Sequence, residues 1–371
     1  MPMPPEAALD GRDGCDGRDG CDGRDGRDAG VADYLQFRSL MFSIAYRMTG
    51  SVSDAEDIVQ EAYLRLTRAL RDGARVTSPK AYLATVTTRL AITHLRSARV
   101  RREAYVGTWL PEPLVEGGLD PVAPATAPDP AERAEMSDSL SMAFLVLLES
   151  LTPTERAVFL LHEVFGYDYA EIAETTGKSE PNCRQILARA RHHIDEGKPR
   201  FEASREQRNE VASRFFDAVN GGDLNSLLEL LAPDVVVMGD GGGKAQARRE
   251  PTYGAERVAR FLLGLFRRAQ KEGLHGEPAV VNGQPGAVAY DAEGRVVSVF
   301  ALDIADGVVQ AVRSVVNPDK LQHLGPTSDL YLRPDRDLPW RSWPPTSPRR
   351  PRPTRSSRAS PPPRTRGCTN C

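Results

Sequence analysis

The sequence predicts a multidomain protein in which two all-α domains precede an α+β domain, with a disordered tail at each end. Three observations carry this. Apolar residues recur at helical spacing through two blocks, from about Asp33 to Tyr105 and from about Ser139 to Pro199. From about Glu206, a helical hairpin, a strand (VVVMGD) and a second amphipathic helix give way to three β-rich runs punctuated by turn residues. Both ends carry low-complexity sequence without an apolar period. The boundaries that follow are 1–32 and 325–371 for the tails, 33–105 and 137–199 for the helical blocks, 106–136 for a linker, and 204–324 for the α+β domain. A chain of 371 residues has room for that many cores.

In the first block Ser53 is placed to cap a helix, with Glu56 completing a capping box. Ile58, Ala62, Leu66 and Ala69 form its inner stripe, and Asp54, Asp57, Gln60 and Glu61 its outer face. The polar loop Asp72 to Ser78 ends it. Pro79 then opens a long helix at the position where its missing N–H costs nothing. Tyr82, Val86, Leu90 and Leu95 are expected inside, leaving Thr87, Thr88, Arg89, His94, Arg96 and Arg99 to face a polyanion. The formal net charge of −3 hides this sorting. Between Gly73 and Arg102 there is no acidic residue, while Arg75, Lys80, Arg89, Arg96, Arg99, Arg101 and Arg102 all fall there.

A Pro-, Gly- and Ala-rich linker follows, and the second block opens with the buried helix SLSMAFLVLLESL. Thr152-Pro153-Thr154-Glu155 is a second capping box. Asp168 and Glu171 form a third, starting a short helix that Gly177 ends; Ser179 caps the next, with Ile186, Leu187 and Ala190 inside. Arg184, Gln185, Arg189 and Arg191 point elsewhere. A helix-turn-helix of this kind sets the start of its second helix against base edges in the major groove.

The tails read differently. Residues 10–28 repeat a DGRDGC-like unit too poor in apolar groups to repay ordering, and the Pro/Arg/Ser-rich end is equally aperiodic. That basic end is open to three readings: a non-specific contact to DNA or polymerase, a solvated extension, or a reading-frame artefact. Cys15, Cys21, Cys368 and Cys371 could in principle supply four thiolates to zinc, but nothing nearby organises a tetrahedral site, so no metal or other cofactor is expected. Cys183 reads as a small packed residue. No apolar run spans a bilayer and no signal peptide opens the chain, so a cytoplasmic protein without membrane contact is expected.

The motifs SDAEDIVQEAYLRL and LTPTERAVFLLHEVFGYDYAEIAETTGKSEPNCRQILARAR, in that order around a Pro-rich linker, closely resemble the sigma-70 family over roughly residues 33–197. More narrowly the chain resembles the small extracytoplasmic-function group, which keeps only regions 2 and 4. The resemblance implies a non-enzymatic factor that binds core RNA polymerase and promoter DNA, duplex at −35 and melted at −10. Asp54, Asp57, Gln60 and Glu61 would engage the clamp helices of the polymerase largest subunit. The loop Asp72 to Ser78 and the helix from Lys80 would read the −10 element, with Thr87, Thr88, Arg89 and His94 on its face. Arg96, Arg99, Arg101 and Arg102 would follow phosphates. Ser179, Glu180, Pro181, Asn182, Arg184 and Gln185 would lead the −35 helix. Arg184 or Gln185 would read G or A edges, and Arg189 and Arg191 would grip backbone.

The α+β domain resembles the SnoaL-like fold, a cystatin-like cone of helices against a curved antiparallel sheet. Turn chemistry at Asp291–Gly294 and Asp306–Gly307 separates its strands. WLPEPL (Trp109, Leu110 and Pro111 leading), DGGGK (Asp240, Gly241, Gly242, Gly243, Lys244) and NPDKL (Asn317, Pro318, Asp319, Lys320, Leu321) resemble signatures of sigma factors carrying such an extension. The implied role is a built-in regulator: the Gly-rich loop docks near the linker, and Asn317–Leu321 sets how the extension sits. Three alternatives stay open. The extension could be a cyclase- or isomerase-like enzyme using Asp240 and His275, with Asp240 read as a loop residue more than a buried base. It could be a sensor of an unknown small ligand. The whole protein could be a one-motif repressor or activator, although such a protein has no need of the acidic face or the acid-free helix.

Overall fold

The computed structural model describes residues 25–103, 105–116, 139–195 and 204–332, with the backbone alone for 25–35, 98–103 and 195. Helix α1 (Asp25–Thr49) is central to the first domain, burying Met41, Phe42, Ile44, Ala45, Tyr46 and Met48. It begins inside the tract read as disordered, because a helix nucleated on that buried half extends at little cost per residue. Gly50 ends it in the left-handed region, φ 67°, where any side chain would also collide with Trp109.

Helix α2 (Val52–Arg71) is capped by Ser51, not Ser53; Ser51 Oγ accepts from Asp54 N at 3.1 Å. Glu56 closes no capping box, because Arg38 takes both its oxygens at 2.7 and 2.9 Å. The carboxylate at this helix start comes from the linker instead. Glu112 accepts from the N–H groups of Val52 at 2.7 Å and Ser53 at 3.2 Å, where the helix dipole favours an anion. Helix α3 (Pro79–Glu103) buries Leu83, Thr87, Ala91 and Leu95 in one row and Ala84, Thr88 and Ile92 in the next. Thr87 and Thr88, expected outside, are therefore fully buried. The buried sector is rotated and widened because α3 packs on α1 and α2 and also on the second domain.

That domain comprises α4 (Met142–Leu148), α5 (Pro153–Phe159), α6 (Tyr169–Thr176) and α7 (Glu180–Asp195). Both capping boxes form, Thr152 with Glu155 and Asp168 with Glu171, and Gly177 is left-handed at φ 66°. One apolar cluster runs through both domains, from Phe42 and Leu83 to Phe159, Ile172 and Leu187. Two buried arginines stitch the seam. Arg47 donates to Ser139 Oγ at 3.1 Å, and Arg156 donates to the Met48 carbonyl at 2.7 Å while pairing with Glu149 at 2.7 Å. Burial pulls the Arg47 guanidinium down to about 9.

The third domain sets α8 (Arg205–Gly221), α9 (Leu224–Leu230) and α10 (Ala255–Lys271) on a sheet of β1 (Leu231–Asp240), β2 (Thr252–Tyr253), β3 (His275–Val281), β4 (Gln284–Tyr290), β5 (Val296–Ala305) and β6 (Val308–Val315). The order is β2-β1-β6-β5-β4-β3. The sheet is mixed, not antiparallel as expected. β1 and β6 run parallel, since the chain crosses through α10 before the β3–β6 meander returns beside β1. Phe215, Leu227, Val258 and Leu262 pack on Val235, Val237, Leu302 and Ile304. Alternate residues of the same strands point the other way. There Val288, Val299, Ala301 and Val315 join Leu110 of the linker and Met142 of α4 in a separate cluster. Packing continues past Leu324, the boundary set for the α+β domain: Ser328 N–H donates to the Val296 carbonyl at 2.9 Å, and Tyr331 OH to Glu272 at 2.7 Å.

Candidate nucleic-acid interface

Helix α7 presents a sharply divided surface. Cys183, Ile186, Leu187, Ala190 and Ile194 are buried, while Ser179, Pro181, Arg184, Gln185 and Arg189 are exposed and Glu180 and Asn182 are half-buried. The Ser179 carbonyl accepts from Cys183 N at 2.9 Å, so the first turn is fixed directly after the left-handed Gly177. Arg184 pairs with Glu180 at 2.9 Å, and its guanidinium carbon lies 4.7 Å from the Tyr169 ring centroid. Arg191 is engaged within the protein, 2.7 Å from Glu163.

On α3, Lys80 and Arg96 are exposed, but two neighbours are spent internally. His94 lies 3.1 Å from Asp54 of α2. Arg89 donates to the carbonyls of Glu174 at 2.7 Å and Thr175 at 2.9 Å, the carbonyl-rich end of α6, where a cation is favoured. Thr85 and Thr175 hydroxyls meet beside it at 3.0 Å. The side chains of Arg99, Arg101 and Arg102 lie outside the described residues, as do the four tail cysteines. On α2, Asp57 and Gln60 are exposed. Glu61 accepts from Arg65 at 2.8 Å, a hydrogen bond that holds its carboxyl below the usual range.

The three motif segments of the extension and linker converge on Asp240. This residue, expected to be a loop residue more than a buried base, is the fully buried last residue of β1. One carboxylate oxygen accepts from Tyr105 OH and from Gly242 N at 3.0 Å; the other accepts from Leu110 N at 2.8 Å and Lys320 Nζ at 2.7 Å. Lys320 also donates to the Leu110 carbonyl, and its ammonium sits 4.4 Å from the Trp109 ring centroid and 4.9 Å from that of Tyr105. Asn317 donates to Tyr105 OH at 2.9 Å and occupies the space a side chain at Gly242 would need. Lys244 and Asp319 pair at 2.6 Å on the exposed side. Burial, then the charge and hydrogen bond of Asp240, push the Tyr105 hydroxyl well above its ordinary value, so it stays a donor. His275, on edge strand β3, stacks on Tyr290 and is separated from β1 by three strands.

Sequence reasoning missed the residues that join the domains. Asn282, left-handed at φ 51° in the β3–β4 turn, is buried. Its amide nitrogen donates to Tyr46 OH at 2.8 Å and to the Leu140 carbonyl at 2.9 Å, and its amide oxygen accepts from Leu114 N at 2.9 Å. One side chain thus touches the first domain, the linker and the approach to α4. An Asn-Gly pair suits a tight hairpin turn, but nothing in the chain around it points to three distant partners. Tyr105 carries no local signal, and Glu112 lies inside the WLPEPL segment without any sign there that it would reach the start of α2.

Comparison with known proteins accounts for this layout. The description "Sigma-70 region 2" matches residues 34–101, "Sigma-70, region 4" residues 141–194 and "SnoaL-like domain" residues 212–316. The ECF RNA polymerase sigma factor SigJ of Mycobacterium tuberculosis is 40% identical over 299 residues, covering 78% of this chain and 92% of the relative. The probable ECF RNA polymerase sigma factor SigI of the same species is 35% identical, covering 77% and 93%. The crystal structure of SigJ superposes with a TM-score of 0.62 and 36% identity over 80% of this chain and 100% of that one. The chain is a member of the extracytoplasmic-function group of the sigma-70 family of RNA polymerase sigma factors, with a fused C-terminal SnoaL-like domain.

Proposed function

We propose that, within transcription initiation by core RNA polymerase, this sigma factor reads a −10 element with α3 and its preceding loop and a −35 element with α7, and that its extension holds these readers closed on each other. Asp57 and Gln60, with Asp54 and Glu61, form the face offered to the polymerase clamp helices. Lys80 and Arg96 follow the melted strand, together with Arg99, Arg101 and Arg102. The extension acts as regulator through its contacts and has no catalytic role, since both oxygens of Asp240 are occupied by four donors. The protein acts where polymerase is, in the cytoplasm.

One observation carries the closed state: Arg89 of the −10 helix spends its guanidinium on the end of α6, the helix that supports the −35 reader. The two elements lie roughly 85 Å apart along duplex DNA at about 3.4 Å per base pair. Readers packed into one apolar cluster do not span that distance, so promoter binding requires them to separate. The extension opposes separation, because Asn282 bonds both sides of the seam and the Asp240–Lys320 cluster fixes the linker. Run-off transcription with reconstituted polymerase tests this. The full chain should initiate weakly, and a chain cut before Asn317 should initiate at a higher level on the same promoter. Equal activity from the full chain, a chain ending at Leu332 and a chain cut before Asn317 would remove the regulatory reading and leave the sigma activity standing.

A further inference from the structure

The geometry points to Tyr169 as a positioning residue for promoter specificity, acting through Arg184. Tyr169 opens α6, one residue after the Asp168 cap, so its backbone is pinned by a closed capping box. Its ring lies 4.7 Å from the Arg184 guanidinium carbon and 4.8 Å from the His162 imidazole centroid. His162 in turn is held by Glu163 at 2.8 Å, the same carboxylate that binds Arg191 at 2.7 Å. The ring is therefore braced by the segment Leu160–Val164 that follows α5, and offers Arg184 a fixed surface.

Arg184 needs such a surface. A guanidinium that reads a guanine edge must present two N–H groups in one plane, and a long exposed side chain otherwise samples many rotamers. Glu180, one turn earlier, takes one end of the fork at 2.9 Å. A lone carboxylate on an exposed helix contributes little. A ring facing the guanidinium carbon at 4.7 Å restricts the remaining rotation and leaves the fork's edge free for a base. Tyr169 would thus contribute to discrimination at one base pair without touching DNA.

This inference rests on the reading of Arg184 as a −35 base contact, and the test separates the two. Holoenzyme reconstituted with the full chain is presented with a promoter library randomised across the −35 hexamer, and transcripts are sequenced. Arg184→Ala should flatten preference at one base pair. Tyr169→Leu should reduce preference at that same base pair by about two- to fivefold, the scale of a partly exposed cation–π contact, and Tyr169→Phe should retain it. In an Arg184→Ala background Tyr169→Leu should change nothing further. Tyr169→Met, similar in reach but without a ring, replaces Tyr169→Leu if the latter melts early. Unchanged preference in the Tyr169 variants, with Arg184→Ala flattened, overturns the positioning role alone. Unchanged preference in Arg184→Ala overturns the base-reading assignment and the positioning role with it.

Discussion

Thr87 and Thr88 show why residue chemistry alone misplaces a site. On a helix without an acidic residue before Glu103, hydroxyl-bearing residues look like nucleic-acid contacts, yet both are buried and their hydroxyls lack hydrogen-bond partners among the described residues. A buried unpaired hydroxyl costs about 1–3 kcal/mol. Thr88→Val should therefore raise the melting temperature, by about 1 kcal/mol of stability, and leave transcription unchanged; a DNA contact would show the opposite pattern. Asn282 makes the reverse point, since a turn residue by sequence is a three-way joint in the structure. Asn282→Gly keeps the left-handed backbone and deletes the side-chain bonds. Leaving Leu114 N and the Leu140 carbonyl short of partners should cost about 1–3 kcal/mol. Faster proteolysis within the linker, with the extension's own melting little altered, is the expected readout.

At the scale of elements, much was legible because the signals are local. The capping boxes at Thr152 and Asp168 and the left-handed Gly177 need only neighbours within a turn, and each forms as the sequence predicts. The failures have a common cause. Ser53 lost its cap to Ser51 because the stabilising carboxylate, Glu112, arrives from the linker. The α3 stripe was rotated because a second domain packs on it, which periodicity within one helix does not encode. The β4–β5 turn offers a test of local electrostatics. Burial alone would raise the Asp291 carboxyl, but hydrogen bonds from Ser328 and from the Arg295 backbone and guanidinium outweigh it and hold the carboxyl at about 2. The group is depressed, so its stabilisation is present above the ordinary aspartate range and is lost as pH falls from about 4 to about 2. Asp291→Asn should lose that acid-dependent step in a melting series between those pH values.

For the whole molecule, the order of domains was legible from composition and period, whereas their mutual packing was not. Contacts such as Arg156 on the Met48 carbonyl join residues that no motif links. A fluorescence pair at Gln60 and Gln185, both exposed, should report a short distance in the free factor and an increase of tens of ångströms (order of magnitude from the promoter span) on forming the polymerase–promoter complex. An unchanged distance would mean that the closed state is itself the active one. The shared apolar cluster has a further, kinetic consequence. On the proposed opening, prying the two domains apart would expose to water apolar surface that the shared cluster keeps covered, so the separated form would be scarce until polymerase covers it. Polymerase capture would then be gated. Its observed rate should rise with polymerase concentration and level off at the unimolecular rate of parting, and destabilising the cluster should lift that plateau before it changes the final affinity.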